Sequence, residues 1–414
     1  MTHYDYVMSG GGLAGLSLAY HLINSPLHER SILIIDKDAK QQNDRTWCFW
    51  VEQPTLFDAI AYRAWQRLRF TSDDFTREYD LAPYRYQMIR GIDFYDFTRK
   101  ALDKCGNVTF VRGNIDQLQD AGDRAQVIVA GQVFTGAWVF DSTLPPSLRG
   151  SVPPSLRALS AQQSPSSTDE IAARSPLAMT TNGHYHHIKQ HFRGWEIETD
   201  RPCFDPQLPT LFDFRTTQAG HMRFVYTLPF TEKRALIEYT LFSAQVLPSE
   251  EYDAGLRTYI EAGLNIQQYQ IKHVEAGVIP MTDQPFPRRL GGRVMSIGTK
   301  GGRVKPSTGY AFLRIQRDSA AIVQSLVTHD QPFDLPARRQ RFGLHDSILL
   351  NIMTHHPDAL KPIFTLMFKN NPIQRVFRFL DETASFREEV GFIASLPPWR
   401  FLQALFRLKV LPRA

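Results

Sequence analysis

Cysteine is scarce in this chain. Its three thiols, Cys48, Cys105 and Cys203, lie far apart. They are too few for a disulfide framework, and no pair has metal-ligand spacing. A disulfide-stapled scaffold and a cysteine-based zinc module are thereby excluded, and a reducing cytosolic setting fits. Long apolar runs are also missing. No stretch approaches the roughly 18 uninterrupted apolar residues of a membrane span, so we expect a protein that can lie on a membrane but does not cross one. The opening Met1-Thr2-His3-Tyr4-Asp5-Tyr6 has no basic region ahead of an apolar stretch, and no signal peptide is expected. Low-complexity tracts and internal repeats are absent. With 43% hydrophobic and 21% charged residues among 414, disorder is excluded as the main state, and there is room for a core in about two or three lobes.

What is present is more informative. Aromatics make up 12%, with 28 Phe. That suits either an aromatic core or a site that handles a large apolar molecule. The net charge of +5 sits in the tail: from Lys361 onward there are nine Lys/Arg and four Asp/Glu. Large apolar residues are interleaved there, namely Phe364, Met367, Phe368, Phe377, Phe379, Trp399, Phe401, Leu402, Leu405 and Phe406. The pattern fits an amphipathic helix on an anionic bilayer, or a solvated helix packed on the domain. No nucleic-acid recognition motif accompanies the charge, and no such partner is expected. His186 and His187 are adjacent, point to opposite faces of a strand and have no acidic partner at metal spacing. They read as structural, and no metal is expected.

Near the start, an alternating strand over Tyr4–Met8 runs into Gly10-Gly11-Gly12-Leu13-Ala14-Gly15. A helical run, Leu16 to Ile23, follows. A second apolar strand, Ser31–Ile35, ends at Asp36. In such a unit Gly10 permits the tight turn, Gly12 lets the backbone approach a pyrophosphate, and Gly15 lets the helix pack close to the strand. The N–H groups of Leu13, Ala14 and Gly15 and the helix dipole hold phosphate charge, and Asp36 stands where a carboxylate meets ribose hydroxyls. This turn alone does not choose between FAD and NAD. Later stretches favour FAD: Val294–Ile297 enters Gly298-Thr299-Lys300-Gly301-Gly302 and then Pro306-Ser307-Thr308-Gly309-Tyr310, ahead of a helical run Ala311–Leu326. A second glycine-rich loop of this kind can set N–H groups beside a flavin.

Strand-like alternation marks Val108–Ile115, Gln126–Val129 and Ala137–Phe140 in the same lobe. It also marks Trp65–Tyr79, Arg85–Ile89, Gly194–Thr199, Leu211–Arg215, Arg223–Leu228 and Ala235–Phe242 as a mostly antiparallel sheet inserted into it. Pro145–Pro176, rich in Ser, Pro and Ala, reads as an exposed loop or a crossover. From Pro332 on, helical periodicity dominates. The expected fold is α/β: a Rossmann-like FAD-binding domain, an inserted antiparallel-sheet substrate domain and a C-terminal helical region, as in hydroxylase-like and glutathione-reductase-like flavoproteins. The expected divisions are 1–64, 93–180 and 286–330 for the FAD-binding domain, 65–92 and 181–285 for the substrate sheet, and 331–414 for a helical, membrane-facing region.

Several strings carry a resemblance. They are Asp44-Arg45-Thr46-Trp47-Cys48-Phe49-Trp50, then Gln190 to Asp200, then Phe212-Asp213-Phe214-Arg215, Phe224-Val225-Tyr226 and Leu228-Pro229. Leu236-Ile237-Glu238-Tyr239-Thr240 and Lys305-Pro306-Ser307-Thr308-Gly309-Tyr310 follow. In this order, over roughly residues 4 to 325, the chain resembles the lycopene β-cyclase family. Plant and cyanobacterial members carry two adjacent glutamates in the catalytic motif. Here Glu238 stands alone and Tyr239 takes the second place. Many flavin hydroxylases have Asp after the glycine of the late loop, where this chain has Thr299.

The resemblance implies a non-redox ring closure that depends on reduced FAD, with NAD(P)H as electron source. The acyclic ψ-ends of lycopene, or a related acyclic carotenoid, become β-rings through γ-carotene to β-carotene. An acid protonates the terminal double bond, a nearby double bond attacks the cation, and a proton leaves. Glu238 is the leading acid and Glu196 a second candidate. Gly10, Gly12, Leu13, Ala14, Gly15, Asp36, Arg45, Thr46, Trp47, Gly298, Gly309 and Tyr310 are the expected cofactor-binding residues. Trp47, Phe49, Trp50, Trp195 and Tyr239 are candidates to face the cation. The expected location is cytoplasmic, peripheral on the inner membrane. The competing readings are an FAD-dependent monooxygenase or reductase of isoprenoid chains, and a carotenoid-binding flavoprotein without turnover. Oligomeric state is not legible.

Overall fold

The structure is a computed structural model that describes residues 2–143 and 185–408. The expected loop Pro145–Pro176 lies outside the described residues. Apolar strands Thr2–Ser9 and Ile32–Asp36 pair in parallel, and the first also pairs in parallel with Gln132–Asp141. Val108–Arg112 and Val294–Ser296 extend the parallel sheet on either side. Ala125–Val129 and Ile115–Asp120 add an antiparallel wing. Helices Leu13–Ile23, Gly91–Leu102 and Phe312–His329 cover one face. Leu18, Leu22, Phe94, Ile315 and Ile322 share one core there with Met8 and Ile34. The other face packs on the antiparallel wing, where Leu33 and Ile35 meet Val127 and Val129, so Ile32-Leu33-Ile34-Ile35 is apolar on both sides.

The second sheet has seven strands. Its order is Tyr269–Thr282, His187–Thr199, Arg234–Ser243, Met222–Pro229, Thr210–Asp213, Arg67–Thr71, Thr76–Asp80. Trp65–Tyr79, which alternation alone reads as one run, is broken into parts. Arg63–Trp65 pairs with Arg85–Arg90, which also pairs with Thr46–Val51 in a separate three-stranded sheet. Arg67–Thr71 and Thr76–Asp80 form a hairpin, closed where Ser72 N–H meets the Phe75 carbonyl at 2.7 Å. The longest strand, Tyr269–Thr282, escaped the sequence reading. It lies on the sheet edge, where Pro280 costs no ladder hydrogen bond that the sheet needs.

Side chains alternate between the two faces of this sheet. Ile237, Tyr239 and Leu241 turn outward to a layer made by helix Ser249–Thr258. Leu236 and Phe242 turn inward to a larger core. The inner core is closed by helices Gln340–His355, Leu360–Asn370 and Ile373–Leu380. Phe368 stacks on Phe70 at 4.4 Å, and Phe377 on Trp50 at 4.3 Å. Phe364, Met367, Phe368 and Phe377, first grouped with a membrane-facing tail, are therefore core residues.

Candidate active site

Two sites emerge, one at the glycine turn and one on the inner face of the antiparallel sheet. At the first, Gly10 has φ +111°, a conformation that L side chains rarely adopt. A Cβ on Gly15 would stand 1.9 Å from the Gly10 carbonyl oxygen, whereas a Cβ on Gly12 would meet nothing within 4 Å. The helix begun by Leu13 and Ala14 has no side-chain cap and no acidic residue in its first turn. Its free N–H groups therefore face open space at Gly12, which fits a pyrophosphate. Asp36 accepts hydrogen bonds from Gly11 N–H at 2.7 Å and Asp38 N–H at 2.8 Å. It borders a cleft of about 390 Å³ lined also by Lys40, Tyr95, Arg99 and Arg112.

The later loops close on this turn. Gly298, at φ +60°, leaves no room for a Cβ, which would lie 2.7 Å from that of Ala14. Lys300 pairs with Asp141 at the end of the neighbouring strand. Gly309, at φ +74°, lies over the inner face of the antiparallel sheet, where a Cβ would strike the Gln190 side chain. Lys305 is buried between Asp346 at 2.8 Å and Glu382 at 2.9 Å. That ties the loop before Tyr310 to the C-terminal helices. Trp47 turns away from the antiparallel sheet and meets Phe94 edge-on at 5.5 Å, and Phe49 stacks on Phe312 at 4.6 Å. Arg45 is exposed, donating to the Asp44 carbonyl at 2.7 Å.

The second site is a row of side chains across four neighbouring strands. Gly194 is paired with Glu238 on one side and with Glu275 on the other, and Glu238 is paired with Tyr226. Adjacent strands lie about 4.8 Å apart, so residues two strands apart do not ordinarily touch. Here the row has a gap in its middle. A Cβ on Gly194 would stand 3.2 Å from Glu275 Cγ and 3.5 Å from Glu238 Cβ. Without it, the two carboxyls face each other across the glycine, close enough for each to act on the other's protonation. Thr240 donates to Glu238 at 2.9 Å, and Thr46 donates to Glu275 at 2.7 Å.

Burial pushes Glu238 well above the usual carboxylate range, and the neighbouring Glu275 pushes it further. Burial also raises Glu275, but the Thr46 hydroxyl and the nearby Arg45 charge favour its anion. Glu238 is otherwise faced by neutral groups: Cys48, Tyr226 and Tyr310, with Tyr86 against Cys48. Burial raises all four, so they stay protonated. Trp50 stands beside them, edge-on to Tyr310 at 4.9 Å. The arrangement sets a carboxyl with a raised pKa among phenols and a thiol, a setting that favours its protonated, proton-donating form.

Several expected residues fall elsewhere. Trp195 and Tyr239 lie on the outer face, against the helix layer, because they are one residue out of phase with Gly194 and Glu238. Glu196 shares the inner face but sits one row along, in an ion pair with Arg234 at 2.5 Å. Thr46, expected at the cofactor, touches Glu275. His186 does have an acidic partner, Asp283 at 2.9 Å, and it also meets Asn351 at 3.1 Å, a bridge between sheet and helix. Sequence reasoning missed Glu275, Gly194, Cys48, Tyr86 and Tyr226 as site residues. The one signal was a charged residue inside an otherwise apolar Val274–Met281 stretch.

The class is set by the architecture. HpxO from Klebsiella pneumoniae, solved with FAD, superposes with a TM-score of 0.57 at 14% identity, covering 95% of this chain and 100% of that one. The fold is thus the Rossmann-like flavoprotein fold with an inserted antiparallel sheet. The lycopene cyclase protein family profile matches residues 5–406, and the chain belongs to that family. It is 29% identical over 231 residues to a lycopene beta-cyclase of Paracoccus sp. (strain N81106 / MBIC 01143), covering 50% of this chain and 56% of that protein. It is 23% identical over 333 residues to the chloroplastic lycopene beta cyclase of Solanum lycopersicum, covering 78% of this chain and 60% of that protein. The chain thus spans a little over half the length of these relatives.

Proposed function

We propose that the protein is a lycopene β-cyclase that converts acyclic ψ-ends to β-rings with no net oxidation. The observation that carries the reading is the carboxyl row, Glu238 and Glu275 flanking Gly194 on the inner face, in a chain of the lycopene cyclase family. An alkene is a very weak base, so its protonation needs an acid kept neutral and dry. Glu238 has that environment. The carbon cation made by its proton is attacked by the next double bond, a six-membered ring closes, and loss of a proton fixes the ring double bond. Trp50, Tyr226 and Tyr310 line the pocket and can each stabilise a passing cation by roughly 0.5–2 kcal/mol. Glu196, bound to a guanidinium outside the row, holds that rim of the sheet.

The cofactor in this reading is FAD. The uncapped turn Gly10–Gly15 and Asp36 would hold its pyrophosphate and ribose, and the loops at Gly298 and Gly309–Tyr310 would border its ring. Bound and reduced, with NAD(P)H as electron source, the flavin supplies negative charge beside a developing cation. The decisive test is expression in cells that accumulate lycopene, with pigments separated and weighed by mass spectrometry. A ringed pigment of unchanged mass is expected. A mass shift would indicate a monooxygenase or reductase, and untouched lycopene beside folded, FAD-loaded protein would indicate a carotenoid binder.

A long polyene must be taken from a membrane, and the surface of the C-terminal helices supports that route. No described helix is long and apolar enough to cross a bilayer. Helices Phe386–Ala394 and Pro398–Arg407 instead leave large apolar side chains bare: Phe386 is 68% exposed, Trp399 65% and Val390 51%, with Ile393, Leu402 and Phe406 nearby in sequence. Arg387, Arg400 and Arg407 accompany them. Such a surface suits the headgroup boundary of an anionic bilayer on the cytoplasmic side. The Phe386→Ser, Trp399→Ser double variant is expected to bind anionic vesicles at least about tenfold more weakly, since each buried aromatic contributes roughly 1.5–3 kcal/mol. Reduced flotation with an unchanged melting temperature would show the effect, and undiminished flotation would refute it.

A further inference from the structure

We infer that Glu275 is a positioning residue of the site: across the gap left by Gly194, its carboxylate holds the transferable proton on Glu238. This rests on the reading of Glu238 as the acid, and it adds a second residue from the strand Tyr269–Thr282.

The hydrogen-bond inventory places the proton. Glu275 Oε2 accepts from Thr46, while Glu275 Oε1 is buried with no donor among the described residues. A buried carboxylate oxygen left bare costs free energy. Among the described residues, a protonated Glu238 is the neighbour placed to fill it, and Glu238 Oε1 already accepts from Thr240. A Glu238 O–H donating to Glu275 satisfies both carboxyls. Two ionised carboxylates at this spacing would leave Glu275 Oε1 unpaired and set like charges against each other.

The surroundings break the symmetry of the pair. On the Glu275 side stand the Thr46 hydroxyl, the Arg45 guanidinium from the same strand end and His273, all of which favour the anion. On the Glu238 side the groups from every neighbouring strand and loop are neutral acceptor-donors: Cys48, Tyr226, Tyr310 and Thr240. Glu196 and Arg234, one row away, neutralise each other. The proton therefore rests on Glu238, and the negative charge on Glu275 opposes its loss until the alkene takes it.

The sign of the pH effect follows. Glu238 must be protonated to act, so activity falls as pH rises through its pKa. Removing the Glu275 charge lowers that pKa, and the alkaline limb moves to lower pH. In Glu275→Gln the amide keeps the volume and can also donate to an ionised Glu238, which acts in the same direction. A like charge at this range shifts a carboxyl by about 1–3 pH units, so a displacement of at least about one unit is expected, with the low-pH plateau retained. Gly194→Ala keeps both carboxyls and wedges them apart, so a smaller shift of the same sign is expected.

Two measurements on the flavin-loaded protein test this. The first is the pH profile of turnover for wild type, Glu275→Gln and Gly194→Ala. The second needs no turnover: infrared titration of the buried carboxylic-acid band, assigned by its loss in Glu238→Gln. The inference holds if the limb and the band both move to lower pH in Glu275→Gln. It falls if the band titrates unchanged in both variants, or if activity drops uniformly with no shift in the limb, as a merely structural residue would give. Failure of the underlying reading looks different, because Glu238→Gln would then still cyclise lycopene while the infrared result stood.

Discussion

Glu238→Gln protein is expected to fold, retain FAD and lose cyclisation by roughly 10²–10⁴-fold, the usual contribution of a positioned general acid. The glutamine amide has the same shape and can still accept from Thr240, so the row across Tyr226, Glu238, Gly194 and Glu275 stays in register. What it lacks is a proton acidic enough for an alkene. The loss should appear in turnover of bound substrate, since no charge has been added to the apolar pocket. Glu196→Gln is the matching control. It breaks an ion pair with Arg234 at the rim of the same face and should change turnover only a few-fold at the scale of an exposed pair. Wild-type turnover in the flavin-loaded Glu238→Gln variant would remove Glu238 from the chemistry.

The second large effect is expected at the glycine turn, where two substitutions should fail in different ways. Gly15→Ala puts a methyl group 1.9 Å from the Gly10 carbonyl oxygen, a contact that only movement of helix or strand can relieve. Overpacking of this kind costs about 1–3 kcal/mol, and the displaced helix no longer aims its N–H groups at the phosphates. Gly12→Ala meets no protein atom within 4 Å, and its backbone, at φ −87°, is open to alanine. It should melt like wild type yet retain little flavin, because the methyl group occupies the space of the approaching pyrophosphate. Flavin-to-protein ratio after desalting, read beside the melting temperature, separates the two. A Gly12→Ala protein with full flavin would show that the cofactor does not sit on this turn.

How much of this was legible depended on how far apart the cooperating residues lie in the chain. The glycine turn, its helix and Asp36 are neighbours in sequence, and the strand–turn–helix–strand grammar is local. The loop from Gly298 to Tyr310 was visible for the same reason. Glu238 stood out through its family string, not through alternation, since a lone acid on an alternating strand is ordinarily a solvated one. Trp195 and Tyr239 went wrong by a single residue. Alternation says that neighbours point to opposite faces but not which face is inward, and that was decided by helix Ser249–Thr258 covering one side. The tail mixed two populations for a related reason. Phe364 and Phe368 fill the core over Phe70 and Phe212, while Phe386 and Trp399 remain bare.

The sequence by itself therefore determined the glycine turn, the α/β class and the inserted sheet, because each is written in residues close enough to impose a local geometry, and its family string put forward Glu238 as the candidate acid. The carboxyl pair belongs to the tertiary structure alone. Glu275 lies on an edge strand beyond a helix, and Gly194 on the strand between. Only the antiparallel register sets a missing side chain between two acids, where burial and like charge raise the pKa of Glu238.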